Sequence, residues 1–293
     1  MTNCLKNHDS SDRLLIVLLS THPQREPPLS LINAIILGII QGLTEFLPVS
    51  SSGHLVIAEH LLPGWHQPGI VFEILLHLAT LLAVIIFFRH DLAALIKSLY
   101  TSGEQATKHR HVILMLLLAT IPTGIIGLTG KKIFITLFNR LDVVGGMLLL
   151  TALILWLAER KTPEKLTKNS AGASDAILIG ITQGLAIIPG ISRSGSTIGV
   201  GMLLGIEPRA AARFSFLLSI PAISGAALLN LKEISAIPSN QLLACLCGSL
   251  AALITGLMAL KFLLMIIEER RLKIFALYCL IVGSITLLTA FAG

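Results

Sequence analysis

The sequence is short of charged residues. Only 13% of its 293 residues are Asp, Glu, Lys or Arg, whereas a typical soluble domain carries roughly 25%. Its mean hydropathy is +0.84, and a soluble fold could not bury that much apolar surface, so the surplus must face lipid. This composition excludes an ordinary soluble domain and predicts an integral membrane protein.

One concentrated basic surface is also lacking, although the formal net charge is +6. The lysines and arginines fall in short segments between apolar runs, so they do not form the basic face that nucleic-acid binding requires. We therefore predict no nucleic-acid partner. Their excess in linkers such as 89–111 and 160–174 favours that side of the membrane as cytoplasmic.

Cysteine is scarce as well. The four cysteines form no CxxC motif and no cluster with histidine. Three of them lie in apolar segments, where cysteine behaves as a small hydrophobic residue. We expect neither a structural disulfide nor a zinc site.

Long apolar runs dominate the rest of the chain. A transmembrane helix needs about 20 apolar residues, and six stretches approach or exceed this length: 70–88, 112–130, 143–158, 214–231, 242–267 and 274–291. The predicted fold class is an all-α polytopic membrane protein in which residues 30–293 form a single membrane domain. Residues 1–29 form an extension that we expect to be disordered or interfacial.

Two further pairs of apolar segments are too short to cross a bilayer. Residues 31–47 are interrupted by Pro, Ser and Gly before 54–62, and residues 176–188 are interrupted in the same way before 196–205. A helix broken at membrane depth is tolerated only where it lines protein or a water-filled cavity. Each pair therefore predicts a re-entrant helical hairpin.

The two hairpins carry related sequences. The tripeptide Gln-Gly-Leu at 41–43 recurs at 183–185, and Ser-x-Ser-Gly at 50–53 recurs at 192–195, with the same offset along the chain. Three predicted spans separate the hairpins, so the second copy must be inverted. We predict an inverted repeat, with copies at about 31–159 and 175–293, whose binding site lies where the two breaks face each other near the midplane.

The first hairpin contains a carboxylate in an apolar stretch. Glu45 is expensive at membrane depth unless it has a partner, and Gln41 lies one turn before it on the same helix face. A hydrogen bond to a neighbouring helix is the simpler interpretation. The functional interpretation, which we favour, is a carboxylate that binds a metal ion or handles protons.

Glu73 and His77 share another helix face and are weaker candidates for a supporting role.

The residues that follow open a short helix. Ser50 and Ser51 can cap it, while its free backbone N–H groups form a cradle for an anion. Capping alone does not explain three serines followed by a histidine. His54 is suited to proton transfer near neutral pH, so we predict that Ser51 and His54 are catalytic and that Ser50 binds substrate.

The second loop contributes a cation. Arg193 lies at another helix start, and its planar guanidinium suits bidentate phosphate binding; the alternative is an ion pair with Glu45 alone. Ser192, Ser194 and Thr197 are predicted to bind substrate, as is Gln41. Together these groups predict a diphosphate site, in which Mg²⁺ or Ca²⁺ bridges Glu45 and the phosphates.

At these positions the sequence resembles the undecaprenyl-diphosphate phosphatase family of bacitracin-resistance type. The family pattern (Glu/Gln)-x-x-x-Glu is met by Gln41 and Glu45, Pro-x-Ser-Ser-x-Gly-His by residues 48–54, and Pro-Gly-x-Ser-Arg-Ser-x-x-Thr by residues 189–197. The likeness runs from about residue 31 to the C-terminus. Gln41, in place of glutamate, weakens any scheme in which two carboxylates share the metal.

The resemblance implies hydrolysis of undecaprenyl diphosphate to undecaprenyl phosphate and inorganic phosphate. Such an enzyme recycles the lipid carrier for peptidoglycan, confers bacitracin resistance in excess, uses a divalent metal and spans the bacterial plasma (inner) membrane several times. By motif, Glu45 would bind the metal, Arg193 would hold the diphosphate, and Ser51 and His54 would perform the transfer. Serine, histidine and activated water stay open as the attacking group, and a homodimer is compatible with the sequence.

Two alternatives compete with this interpretation. A transporter or flippase of lipid phosphates would also use inverted repeats with broken helices. The lipid phosphatases related to soluble acid phosphatases share Ser-Gly-His, found here at 52–54, but they need an upstream Lys-x6-Arg-Pro and a second histidine after their arginine, and neither is found.

Overall fold

The structure of the protein is a computed structural model that describes residues 30–61, 70–138, 140–230 and 240–292. These ranges are helical and contain no β-strand; an isolated bridge joins Lys168 and Ile206. The expectation for residues 1–29 lies outside the described part of the chain.

Eleven α-helices are found in the described ranges. They are α1 (Leu31–Phe46), α2 (Ser51–Leu61), α3 (Ile70–Phe87), α4 (Arg89–Ser98), α5 (Glu104–Leu137), α6 (Leu141–Glu159), α7 (Ala173–Leu185), α8 (Arg193–Leu203), α9 (Pro208–Leu229), α10 (Leu242–Glu268) and α11 (Lys273–Ala292).

Five of these helices, α5, α6, α9, α10 and α11, are long and apolar enough to cross a membrane. A sixth span is obtained if α3 and α4 are taken together across a 71° bend. Large apolar side chains such as Leu128, Met258 and Leu288 are exposed on the long helices, as a surface that faces lipid requires. The predicted all-α, multi-pass architecture is confirmed, with five to six candidate spans.

The linker predicted at 89–111 is largely helical instead. Arg89–Ser98 forms α4, and α5 begins at Glu104, well before the apolar run that starts at 112. Hydropathy alone does not detect these helical residues, because the apolar segment 92–96 is short and flanked by charged residues, and the first turns of α5 are polar. Lys108 and Glu104 pair at 2.7 Å across one helical turn, a spacing that stabilises exposed helices.

The two short helices that precede the polar loops each lie tightly against a long helix. A Cβ added at Gly38 in α1 would lie 2.1 Å from the Gly248 carbonyl oxygen in α10, and one added at Gly180 in α7 would lie 2.1 Å from the Ala119 carbonyl oxygen in α5. Glycine at these positions lets the backbones approach closely. The packing fixes where α1 and α7 end, and therefore where the loops begin.

The interior is apolar around the loops. Phe46, at the end of α1, packs edge-on against Phe216 of α9 with ring centroids 5.8 Å apart, and both side chains are fully buried. Phe88 contacts the same Phe216 ring. This aromatic group places the C-terminal end of α1 next to α9 in the centre of the molecule.

Candidate active site

The first loop, residues 47–50, reverses the chain between α1 and α2. Ser50 has a φ of +71°, a left-handed conformation that costs roughly 1–2 kcal/mol for a residue with a Cβ. The Ser50 hydroxyl oxygen compensates by accepting the Gly53 backbone N–H at 3.2 Å, which caps the start of α2. This turn determines the direction in which Ser51 points.

The second loop, residues 186–192, is built in a similar way. Ser192 caps α8 by accepting the Gly195 backbone N–H at 3.0 Å. Thr151 of α6 holds the loop from outside: its hydroxyl donates to the Gly190 carbonyl at 3.1 Å and accepts the Ser192 N–H at 3.0 Å. Gly190 has a φ of +97°, which favours glycine.

The two loops touch each other. A Cβ added at Gly53 would lie 3.1 Å from the Cα of Gly190, and one added at Gly195 would lie 2.9 Å from the Cβ of Pro48. The Ser194 hydroxyl also donates to the Leu47 carbonyl at 3.3 Å. The starts of α2 and α8, which are far apart in sequence, are therefore side by side.

Glu45 lies at the centre of this junction and is almost fully buried. Its Oε1 accepts a hydrogen bond from Arg193 Nη2 at 2.7 Å. Its Oε2 accepts bonds from the Ser51 hydroxyl at 2.7 Å and from Gln41 Nε2 at 3.0 Å. His77 Nε2 is 3.7 Å from the same oxygen. We call these five residues the Glu45 cluster.

Two polar atoms in the Glu45 cluster are buried without a partner. Arg193 Nη1 is a donor and Gln41 Oε1 is an acceptor, and neither has a hydrogen bond among the described residues. Buried polar groups are normally satisfied, so an orphan in a native structure calls for an explanation such as a ligand, ion or water. A free N–H of a cation and a free oxygen in the same cluster suit an anion accompanied by a cation or a water molecule.

His54 is oriented by a different set of contacts. Its Nδ1 lies 2.7 Å from the Ser50 carbonyl oxygen, and its Nε2 lies 2.6 Å from the Tyr278 hydroxyl of α11. The hydrogen bond of Ser51 goes to Glu45. Tyr278 was missed from the sequence, because a tyrosine in an apolar span looks like an interface residue. It is 41% exposed, and the signal available was the polar hydroxyl of an amphipathic side chain within an apolar segment.

The hydroxyls of the remaining residues predicted to bind substrate have hydrogen-bond partners within the protein. The hydroxyls of Ser50 and Ser52 lie 3.4 Å apart, and those of Ser192 and Ser194 lie 3.2 Å apart. The Thr197 hydroxyl donates to the Arg193 carbonyl at 2.7 Å and lies 2.6 Å from the Ser215 hydroxyl. These hydroxyls shape the start of each short helix.

The donor set for a metal ion is sparse. Nowhere in the described ranges do three or more His, Cys, Asp or Glu side chains form a group that could hold a metal. The Glu45 carboxylate and the free Gln41 Oε1 are oxygen ligands of the kind that Mg²⁺ and Ca²⁺ use. Such a pair fits an ion that is also coordinated by phosphate, and does not fit one held by protein side chains alone.

The fold and the site together define a multi-pass membrane protein with a polar centre in which a carboxylate and a guanidinium are paired. The family model described as "Bacitracin resistance protein BacA" matches residues 34–285. This match covers most of the chain, so the protein belongs to the BacA family, and the resemblance drawn from its motifs is confirmed.

Several relatives share the same printed name. An undecaprenyl-diphosphatase of Syntrophotalea carbinolica is 43% identical over 256 residues, which cover 87% of this chain and 97% of the relative. One from Desulfosudis oleivorans is 43% identical with the same coverage, and one from Methanobrevibacter smithii is 41% identical over 88% of this chain and 96% of the relative. The chain thus spans nearly the full length of these enzymes.

Proposed function

We propose that this protein hydrolyses undecaprenyl diphosphate to undecaprenyl phosphate and inorganic phosphate within the plasma (inner) membrane. The reaction recycles the lipid carrier for peptidoglycan synthesis and, in excess, confers resistance to bacitracin. The single observation that carries the proposal is the Glu45 cluster, in which both loops contribute to one buried polar site. Relatives named undecaprenyl-diphosphatase that align over nearly the whole chain support the choice of substrate.

Arg193 is proposed to bind the diphosphate. Its Nη2 is used by Glu45, whereas its Nη1 is buried and free. The guanidinium can therefore hold Glu45 with one nitrogen and a phosphate oxygen with the other, a geometry that lysine does not offer. A hydrogen bond between charged groups in a buried site is about twice as strong as a neutral one.

Ser51 and Glu45 are proposed to begin the transfer. The Ser51 hydroxyl already donates to Glu45 at 2.7 Å, so the carboxylate is placed to accept its proton while the oxygen attacks the terminal phosphorus. The bond from that phosphorus to undecaprenyl phosphate breaks, and water then releases the phosphoryl group from Ser51. Direct attack by water activated by Glu45 is the alternative route, with the same proton acceptor.

A divalent metal, Mg²⁺ or Ca²⁺, is proposed to accompany the substrate. The Glu45 carboxylate and Gln41 Oε1 would hold it, and the ion would offset the negative charge of the diphosphate. Gln41 donates through its nitrogen to Glu45, which leaves its oxygen directed elsewhere. With the ion bound, Arg193 would still hold the diphosphate, and Ser51 and Glu45 would still begin the transfer.

We further propose that the helix–loop–helix pairs α1–α2 and α7–α8 are re-entrant hairpins of an inverted repeat within one membrane domain of residues 30–293. α1 and α7 contain 16 and 13 residues, too few to cross a bilayer. α2 and α8 begin and end at equivalent positions of the repeat.

Equivalent contacts in the two copies support the repeat. The Pro48 carbonyl of the first loop accepts the Cys279 S–H of α11 at 3.4 Å, and the equivalent Gly190 carbonyl accepts the Thr151 hydroxyl of α6. The first loop is thus anchored by α11, at the other end of the chain, and the second loop by α6, the span that precedes it. Ile187 occupies the position equivalent to Glu45, so the two copies combine into one composite site.

Phosphate release from the C55 diphosphate in detergent tests the proposal. We expect activity in the wild type, loss on chelation with recovery on addition of Mg²⁺ or Ca²⁺, and loss in Glu45→Ala and Arg193→Ala. Arg209→Ala is a matched control because Arg209 forms an exposed pair with Glu268. Equal activity in all these proteins would remove the proposed site.

The same assay separates hydrolysis from transport. A flippase would move the intact lipid between leaflets without releasing phosphate. His54→Ala should lower phosphate release while lipid binding is retained if the protein is an enzyme. Lipid translocation by a wild type that releases no phosphate would establish the transport alternative.

A further inference from the structure

We infer that Tyr278 is a positioning residue of the active site, which acts through His54 to keep the first loop in the conformation that presents Ser51 to Glu45. This inference rests on the proposed function, because the effect on catalysis presupposes that Ser51 and Glu45 take part in hydrolysis. The evidence is the hydrogen bond and the ring stacking between Tyr278 and His54. Tyr278 lies outside the sequence motifs described above.

The hydrogen bonds of His54 define its tautomer. The Ser50 carbonyl oxygen can only accept, so the His54 Nδ1 that lies 2.7 Å from it carries the hydrogen. In the neutral imidazole, Nε2 is then the acceptor. The Tyr278 hydroxyl, 2.6 Å away, is the donor that this nitrogen requires.

Ring stacking restricts the imidazole further. The rings of His54 and Tyr278 lie nearly parallel, with an interplanar angle of 9° and centroids 5.6 Å apart. A stacked neighbour that also donates to Nε2 fixes both the plane and the direction of the histidine ring. The His54 N–H therefore stays directed at Ser50.

The bond from His54 to Ser50 falls at the strained point of the first loop. Ser50 has a φ of +71°, and its carbonyl group is the acceptor for Nδ1. The next residue, Ser51, donates to Glu45 at 2.7 Å. If the His54 tautomer changed, Nδ1 would present a lone pair to the carbonyl oxygen, and the loop would relax away from Glu45.

Tyr278→Phe tests this chain of contacts by removing one oxygen atom. A single neutral hydrogen bond contributes about 0.5–1.5 kcal/mol, so we expect kcat to fall by about two- to twelvefold while KM changes less than about twofold. Tyr100→Phe is the matched control, since the chain contains two tyrosines and Tyr100 is highly exposed. A Tyr278→Phe enzyme with the kinetics of Tyr100→Phe, or a change confined to KM, would overturn the inference.

Histidine NMR gives a second readout that does not depend on activity. In ¹⁵N-histidine-labelled protein, with the His54 signal identified by its absence in His54→Gln, we expect the Nδ1–H tautomer in the wild type and a mixture of tautomers in Tyr278→Phe. A wild-type Nε2–H tautomer, or no change in the variant, would refute the positioning role. A wild type that releases no phosphate yet shows these spectra would overturn the proposed function and leave the contact intact.

Discussion

Replacing Glu45 by glutamine tests the centre of the site with almost no change in shape. The carboxylate accepts three hydrogen bonds, from Arg193 at 2.7 Å, Ser51 at 2.7 Å and Gln41 at 3.0 Å. A glutamine has one oxygen and one NH₂ group, so either Arg193 or the pair of Ser51 and Gln41 loses its acceptor. Arg193, whose side chain is only 15% exposed, would also lose the charge that neutralises it.

Removing one partner of a buried ion pair typically costs about 3–5 kcal/mol, because the remaining charge is left uncompensated. We expect Glu45→Gln and Arg193→Gln each to lower the thermal unfolding midpoint in detergent by roughly 10 °C. The double variant leaves no charge behind, so its midpoint should lie closer to the wild type than the sum of the two single losses.

Activity should behave differently from stability. Phosphate release should fall by about 100-fold or more in both single variants and stay low in the double variant, since neutralising the site does not restore a proton acceptor. The reasoning would be refuted by single variants with wild-type midpoints, or by a double variant destabilised by the full sum. Either result would mean that Glu45 and Arg193 do not interact in the folded protein.

Three further predictions concern the loops and their packing. Ser51→Ala should lower kcat by about 100-fold if serine attacks phosphorus; a loss below about tenfold in phosphate release would point to attack by water. Arg193→Lys should lower kcat/KM by about 10- to 100-fold, because a single ammonium cannot bond Glu45 and phosphate together; unchanged kinetics would contradict a bidentate role. Gly38→Ala should lower the unfolding midpoint because its Cβ would meet the Gly248 carbonyl at 2.1 Å, whereas Gly146→Ala, in open space, should stabilise the protein by up to about 1 kcal/mol; equal midpoints would contradict the close packing.

Much of the membrane architecture was predictable from hydropathy. The apolar runs largely coincide with α3, α5, α6, α9, α10 and α11, since a helix that faces lipid needs a continuous apolar sequence. α4 and the first turns of α5 were not predicted, because a short or polar helical segment gives no long apolar run. In α5, the exposed pair of Glu104 with Lys108 adds a small stabilisation to these turns.

The members of the site were partly predictable for an electrostatic reason. A carboxylate and a guanidinium at membrane depth each need a partner, so the pairing of Glu45 with Arg193 was one of the alternatives that the sequence offered, and the structure contains it. His77 was a weak candidate on a helix face, and its 3.7 Å approach to Glu45 became visible only when α3 was packed against α1.

The sequence by itself determined which residues are polar in an apolar chain and where the two short helices must break, because lipid forces every backbone group and every charge to find a partner. Tertiary structure decided how those partners are divided. The turn between α1 and α2 directs the Ser51 hydroxyl to Glu45. The His54 ring bonds Tyr278 because tertiary packing brings residues 224 positions apart within hydrogen-bonding distance.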